Sequence, residues 1–208
     1  MSEIRPIETR YKGYRFRSRL EARWAVFFDA MGVRFEYEKE GFHLPSGRLY
    51  LPDFWLPSLG CWAEIKPVPE GFDGQPWMPK GSLEEEFFRD TEHGGAGQPG
   101  FVIYGTPGDP VEYSADSPYA CAVAYDSPYF WCLCPWCGKA GVEFDGRGAR
   151  VCGYRAHFAT EEEAMRGFRY GEGHRRADDK CYTLHEPTLV AALEIASSAR
   201  FEHGETPR

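Results

Sequence analysis

The chain has no long apolar run. No stretch approaches the roughly 18 consecutive apolar residues that cross a bilayer as a helix, so no membrane partner is expected. It also lacks a secretory signal in its first residues, MSEIRPIETRYKGYRFRSR, which are charged and polar; a cytoplasmic location is the expectation. Internal repeats and low-complexity tracts are missing as well. Positive charge is short: 24 Lys and Arg stand against 32 Asp and Glu, a formal net charge of −8. Taken alone, that balance disfavours a nucleic-acid partner. Cysteines are few and odd in number, seven, and without a secretory signal that argues against a disulfide framework.

What is present is enough for a core. Of 208 residues, 42% are apolar and 16% aromatic, which suits one domain or a domain plus a small module. The bases are unevenly placed. Residues 10–23 carry Arg10, Lys12, Arg15, Arg17, Arg19 and Arg23 against one acid, Glu21. A local basic segment of this kind can meet phosphates on an otherwise acidic protein.

Patterning divides the chain. In residues 18–31, SRLEARWAVFFDAM, Leu20, Trp24, Phe27, Phe28 and Met31 recur at helical spacing, and Gly32 follows as a stop. VRFEYEKEGFHL, residues 33–44, alternates apolar and charged like a half-buried strand. A PSGR turn leads to LYLPDFWL and then CWAEIKP, two further strands. A Pro- and Gly-rich loop precedes SLEEEFFRDTEH, a helix capped by Ser82 with Leu83, Phe87 and Phe88 inward. FVIYG is a continuous apolar run, as in a central strand. The expected core is α/β: helix, three-stranded antiparallel meander, helix, strand. Residues 1–112 are assigned to it. Residues 113–208 read as a smaller α+β module that ends in the helix PTLVAALEIASSAR, opened by Pro187.

LPDFWLPSLGCWAEIKP, residues 51–67, is mostly apolar, yet Asp53, Glu64 and Lys66 interrupt it. A four-residue turn, PSLG, leaves its two strands adjacent and antiparallel. Asp53 and Glu64 then meet across the ladder, and Glu64 and Lys66, two apart, share a face. Paired carboxylates repel unless a cation joins them. Hard oxygen ligands suit Mg²⁺ or Mn²⁺, which lowers the pKa of a bound water and neutralises a phosphoryl oxygen. A neighbouring lysine can position or deprotonate that water. Glu21, at the edge of the helical apolar stripe, is a further candidate ligand. Taken singly, each feature has a plainer reading. Ser18 and Glu21 form an S-x-x-E capping box, and Glu64 with Lys66 forms a strand-face ion pair.

Together, FRSRLEARWAVFFDAMG, YLPDFWLP and WAEIKP resemble the PD-(D/E)xK nuclease superfamily, over residues 10–107. Pro52-Asp53 is followed eleven residues later by Glu64-Ile65-Lys66, with Glu21 on the preceding helix. The helix opening resembles that of transposon-end and phage-type endonucleases. The resemblance implies a restriction-endonuclease-like core that hydrolyses DNA phosphodiesters with Mg²⁺ or Mn²⁺. Glu21, Asp53 and Glu64 would hold metal and Lys66 would serve the attacking water. Lys12, Arg15, Arg17 and Arg19 would lie beside the DNA. A phage or mobile-element setting and a possible homodimer are further implications. The alternative is a catalytically inactive nuclease fold that binds DNA or protein.

CPWCGK sets Cys134 and Cys137 on a tight turn, and VCGYRAH returns Cys152 and His157. This Cys-x2-Cys-x14-Cys-x4-His spacing is that of a zinc ribbon with closed tetrahedral coordination. Cys181 and Cys132 rival His157 as the fourth ligand. Free buried cysteines and a redox C-x-x-C are the competing readings. Structural Zn²⁺ would stabilise a module too small to fold on its own core. Arg147, Arg150 and Arg155 would give it a surface for DNA or a protein partner.

Overall fold

A computed structural model describes residues 7–68, 78–89, 91–108, 122–124, 127–133, 139–144 and 187–201. The first element is a hairpin. Thr9–Tyr11 (β1) and Tyr14–Phe16 (β2) pair around Lys12-Gly13, both at positive φ, 44° and 85°. Two-residue loops with both central residues left-handed match the twist of the strands they join. Charge alone gave no sign of this hairpin; the Lys-Gly pair was its local signal.

Helix α1, Arg19–Ala30, follows. Ser18 caps it, its Oγ accepting from the Glu21 N–H at 3.1 Å, and the chain leaves through Gly32 at φ 67°. The strand expected over 33–44 is broken into Glu36–Tyr37 (β3) and Phe42–His43 (β4). Glu38 breaks it. Its φ of 47° turns the backbone, and its N–H donates to the Asp53 carbonyl at 2.8 Å. The strand expected over 49–56 is likewise two pieces, Leu49–Tyr50 (β5) and Phe54–Leu56 (β6), divided at Pro52, which has no N–H to give a ladder. The turn at 45–48 joins β4 to β5, and the turn at 57–60 joins β6 to Cys61–Lys66 (β7).

Helix α2, Leu83–Phe88, is shorter than the 82–93 expected, and a 3₁₀ turn at Thr91–His93 succeeds it. Gly100–Tyr104 (β8) then pairs with β7 in parallel, so α2 lies in the crossover between them. Ala122–Ala124 (β9), Ser127–Leu133 (β10), Ala140–Phe144 (β11) and helix α3, Pro187–Ser198, complete the described elements. Among the described residues one mixed sheet runs β11-β10-β9-β8-β7-β6-β3, and the fold is mixed α/β.

Strand alternation divides this sheet into two faces. Phe54, Leu56, Cys61, Ala63, Ile65, Phe101 and Ile103 join the core beneath α1. Trp62, Val102 and Tyr104 join a second core with Tyr50, Met78, Phe87 and Phe88, on the α2 side. Beyond residue 112, β10, β11 and α3 contribute to the first core. Trp131 of β10 packs edge-on against Phe27, with ring centroids 5.1 Å apart, and α3 covers α1 with Leu189, Ala192, Leu193 and Ala196.

Candidate active site

The β6–β7 register pairs Phe54 with Ala63, and one further step sets Asp53 opposite Glu64. Both are buried, at 2% and 3% exposure. At this step the regular ladder gives way to side chains. The Asp53 N–H donates to Glu64 Oε2 at 3.2 Å, and the Ile65 N–H donates to Asp53 Oδ2 at 2.7 Å. Each carboxylate therefore has one oxygen on the opposite strand's main chain. The other oxygen of each accepts from a cation: Arg17 Nη2 lies 2.5 Å from Asp53 Oδ1, and Lys66 Nζ lies 2.8 Å from Glu64 Oε1.

Two acids this close and this dry resist ionising together. Burial, then Glu64, then Glu21 push the Asp53 carboxyl up to about 8, against the opposing pull of the Ile65 N–H and Arg17. Burial also raises Glu64, and Lys66 opposes that rise. For Lys66 itself burial acts downward, but Glu64 and Glu84 outweigh it and hold the ammonium above its ordinary range.

Glu21 belongs to an adjoining cluster. Its Oε1 accepts from Ser18 Oγ at 2.6 Å; its Oε2 accepts from the Arg17 N–H at 3.1 Å and from Tyr37 Oη at 2.5 Å. It sits in the α1 layer, whereas alternation along β7 turns Glu64 and Lys66 towards α2. Arg17 bridges the two clusters, with its main chain on Glu21 and its guanidinium on Asp53. Its Nε is held by Glu38 Oε1 at 2.8 Å, and the left-handed turn at Glu38 delivers that carboxylate. The structure thus brings Asp53, Glu64 and Lys66 together and sets Glu21 beside them.

The α2 side adds residues that sequence patterning did not single out. Glu84 Oε1 lies 2.8 Å from Lys66 Nζ. Tyr50 is buried next to Glu64; burial, then Glu64 and Glu84, raise its pKa. In the sequence Glu84 stands in a run of three Glu at a helix start, and nothing local separates it from a solvated face.

The basic segment is largely paired within the protein. Lys12 Nζ meets Asp29 Oδ2 at 2.9 Å, Arg15 meets Glu8, and Arg17 meets Glu38 and Asp53. Arg19 is the first residue of α1 and is partly buried. Cys134, Cys137, Cys152, His157 and Cys181 lie outside the described residues, as does the side chain of Cys132. Among the described residues no group of three or more His, Cys, Asp and Glu is arranged to hold a metal ion, and no helix is long and apolar enough to cross a membrane. Comparison with known proteins returns no match among family models, curated proteins or solved structures.

Proposed function

We propose that this protein is a metal-dependent endonuclease acting on DNA phosphodiesters, built on a restriction-endonuclease-like core. One observation carries the reading: two buried carboxylates, Asp53 and Glu64, oppose each other across β6–β7, and Lys66 stands on the same face with Nζ 2.8 Å from Glu64. Burying two acids costs free energy that an apolar pair at these positions would avoid, which supports a role beyond folding.

The donor set suits a divalent cation. Asp53 and Glu64 are hard oxygen ligands, and each has one oxygen fixed by a main-chain N–H so that the other is presented to positive charge. These two residues would hold Mg²⁺ or Mn²⁺, with Glu21 the further ligand that the resemblance implies. A divalent cation supplies charge against the phosphoryl oxygens and acidifies water. Lys66 has two of its three N–H donors on carboxylates, leaving one for the water or the phosphoryl oxygen. Arg17, with 52% of its side chain exposed, presents its guanidinium at the rim, where a DNA phosphate would compete with Asp53 and Glu38 for it. Structural Zn²⁺ on the Cys134–Cys137–Cys152 set, a phage or mobile-element setting and a homodimer on duplex DNA belong to the same reading.

A second reading is favoured by Arg17 and Lys66 themselves. They neutralise Asp53 and Glu64 with the protein's own cations, as a fold retained for binding DNA or protein would do. Incubation with supercoiled, linear, branched and single-stranded DNA in Mg²⁺, Mn²⁺ or EDTA separates the two. The nuclease cuts in metal alone, and Glu64→Ala and Lys66→Ala abolish the cutting. Cutting that survives both substitutions, or no cutting by the parent chain, leaves the binding protein.

A further inference from the structure

Glu84 supplies the second carboxylate on Lys66. Its side chain is 12% exposed, and it lies in the first turn of α2 with Oε1 2.8 Å from Lys66 Nζ. The ammonium therefore sits between two carboxylates from different elements, Glu64 on β7 and Glu84 on α2, each at 2.8 Å.

The three acids of that turn have separate partners. Glu85 closes the capping turn on the Gly81 N–H and pairs with Arg89. Glu86 ties α2 to the β4–β5 turn, accepting from the Ser46 N–H at 2.6 Å, from Ser46 Oγ at 2.8 Å and from Arg48 Nη2 at 2.5 Å. Phe87 and Phe88 bury the helix in the second core. With α2 held by these groups, the Glu84 contact is not needed to dock it. What Glu84 fixes is the lysine. A four-carbon side chain with one anchor sweeps a cone; a second anchor on another element leaves it one position and one free N–H direction.

We infer that Glu84 is a positioning residue that, with Glu64, holds the Lys66 ammonium as a directed donor towards the scissile phosphate. The inference rests on the nuclease reading for the phosphate but not for the clamp, so the two are tested apart.

The clamp is read without metal or DNA. In EDTA, limited labelling of lysine amines with an N-hydroxysuccinimide ester is followed by peptide mass spectrometry. Glu84→Ala is expected to raise labelling of Lys66 about tenfold or more while Lys12 stays at its parent rate, and Glu84→Gln, which keeps an acceptor oxygen, to raise it less. A melting curve for each variant establishes that it is folded. Equal Lys66 labelling in folded Glu84→Ala and the parent overturns the clamp, whatever the protein does to DNA. The catalytic half is read on cutting. Glu84→Ala is expected to lower kcat about 10–100-fold with KM within about threefold, the usual scale for a group that orients an active-site residue. Glu84→Gln is expected to recover much of that loss. A change confined to KM, or a Gln variant no better than Ala, overturns the positioning role. Raised Lys66 labelling in Glu84→Ala, when the parent chain cuts nothing, upholds the clamp, overturns the directed-donor role and separates this failure from a failure of the clamp.

Discussion

Asp53 and Glu64 face each other across β6 and β7, each bound to the other strand's main chain. The Asp53 N–H reaches Glu64 Oε2 at 3.2 Å, and Asp53 Oδ2 receives the Ile65 N–H at 2.7 Å. The cross-strand exchange that ordinarily runs between peptide groups is here carried by two carboxylates. It fixes their orientation and forces two buried acids together.

That burial has a pH signature. Burial, then Glu64 and Glu21, push the Asp53 carboxyl up to about 8 in the folded protein, from 3.8 for an unperturbed aspartate. Between those values the folded state holds a proton that the unfolded state has released. Stability therefore falls as pH rises from about 4 to about 8. Asp53→Asn keeps an acceptor for the Ile65 N–H and removes the charge. In EDTA it is expected to melt about 2–8 °C above the parent at pH 8, with the difference shrinking towards pH 5. An equal offset at both pH values would count against a buried, reluctantly ionised Asp53.

Cation binding at the same pair is read as thermal stabilisation. Mn²⁺ at about 100 times its dissociation constant would add about 2.7 kcal/mol to the folded state. The parent chain is expected to gain several degrees and Glu64→Gln much less. The same gain in both would place the cation elsewhere.

Trp24 tests how α1 is seated on the sheet. Its Nε1–H donates to the Gly105 carbonyl at 2.9 Å in a fully buried setting. Trp24→Phe keeps most of the ring and leaves that carbonyl without its donor. A loss of about 1–3 kcal/mol in urea unfolding is expected. No loss would mean that the carbonyl finds another partner at no cost.

Trp131 tests how far the core extends along the chain. It is 2% exposed and contacts Phe27, Phe28 and Phe101, although it lies beyond residue 112. Trp131→Ala is expected to cost about 3–5 kcal/mol, as for other large-to-small changes in a packed core. A chain ending at residue 112 would uncover Phe27 and the α3 side of α1, and is expected to lose its cooperative melt. A sharp melt at the parent temperature would show that residues 1–112 stand alone.

Several elements were legible in the sequence because their causes are local. Ser18, the 3.6-residue spacing of Leu20, Trp24, Phe27 and Phe28, and Gly32 delimit α1 through capping, side-chain period and a left-handed stop. A four-residue turn and period-two alternation suffice to set Asp53 across from Glu64 and Lys66 beside it. Other features were not legible. The alternating pattern of 33–44 implied one strand, but Glu38 turns left-handed at the end of the β3–β6 pairing, where its N–H still bonds to the Asp53 carbonyl, a partner fifteen residues away. Arg17 read only as one more base in a basic segment.

By itself the sequence determined which residues pair within one turn or one hairpin, because short-range sterics, caps and loop length fix those distances. The tertiary structure decided which distant charges meet. Arg17 lies on Asp53 and Glu84 on Lys66 only once α1 and α2 dock against opposite faces of the sheet. That docking is set by the summed burial of Phe54, Ile65 and Phe101 on one side and Trp62, Phe87 and Tyr104 on the other, which no local pattern of charges encodes.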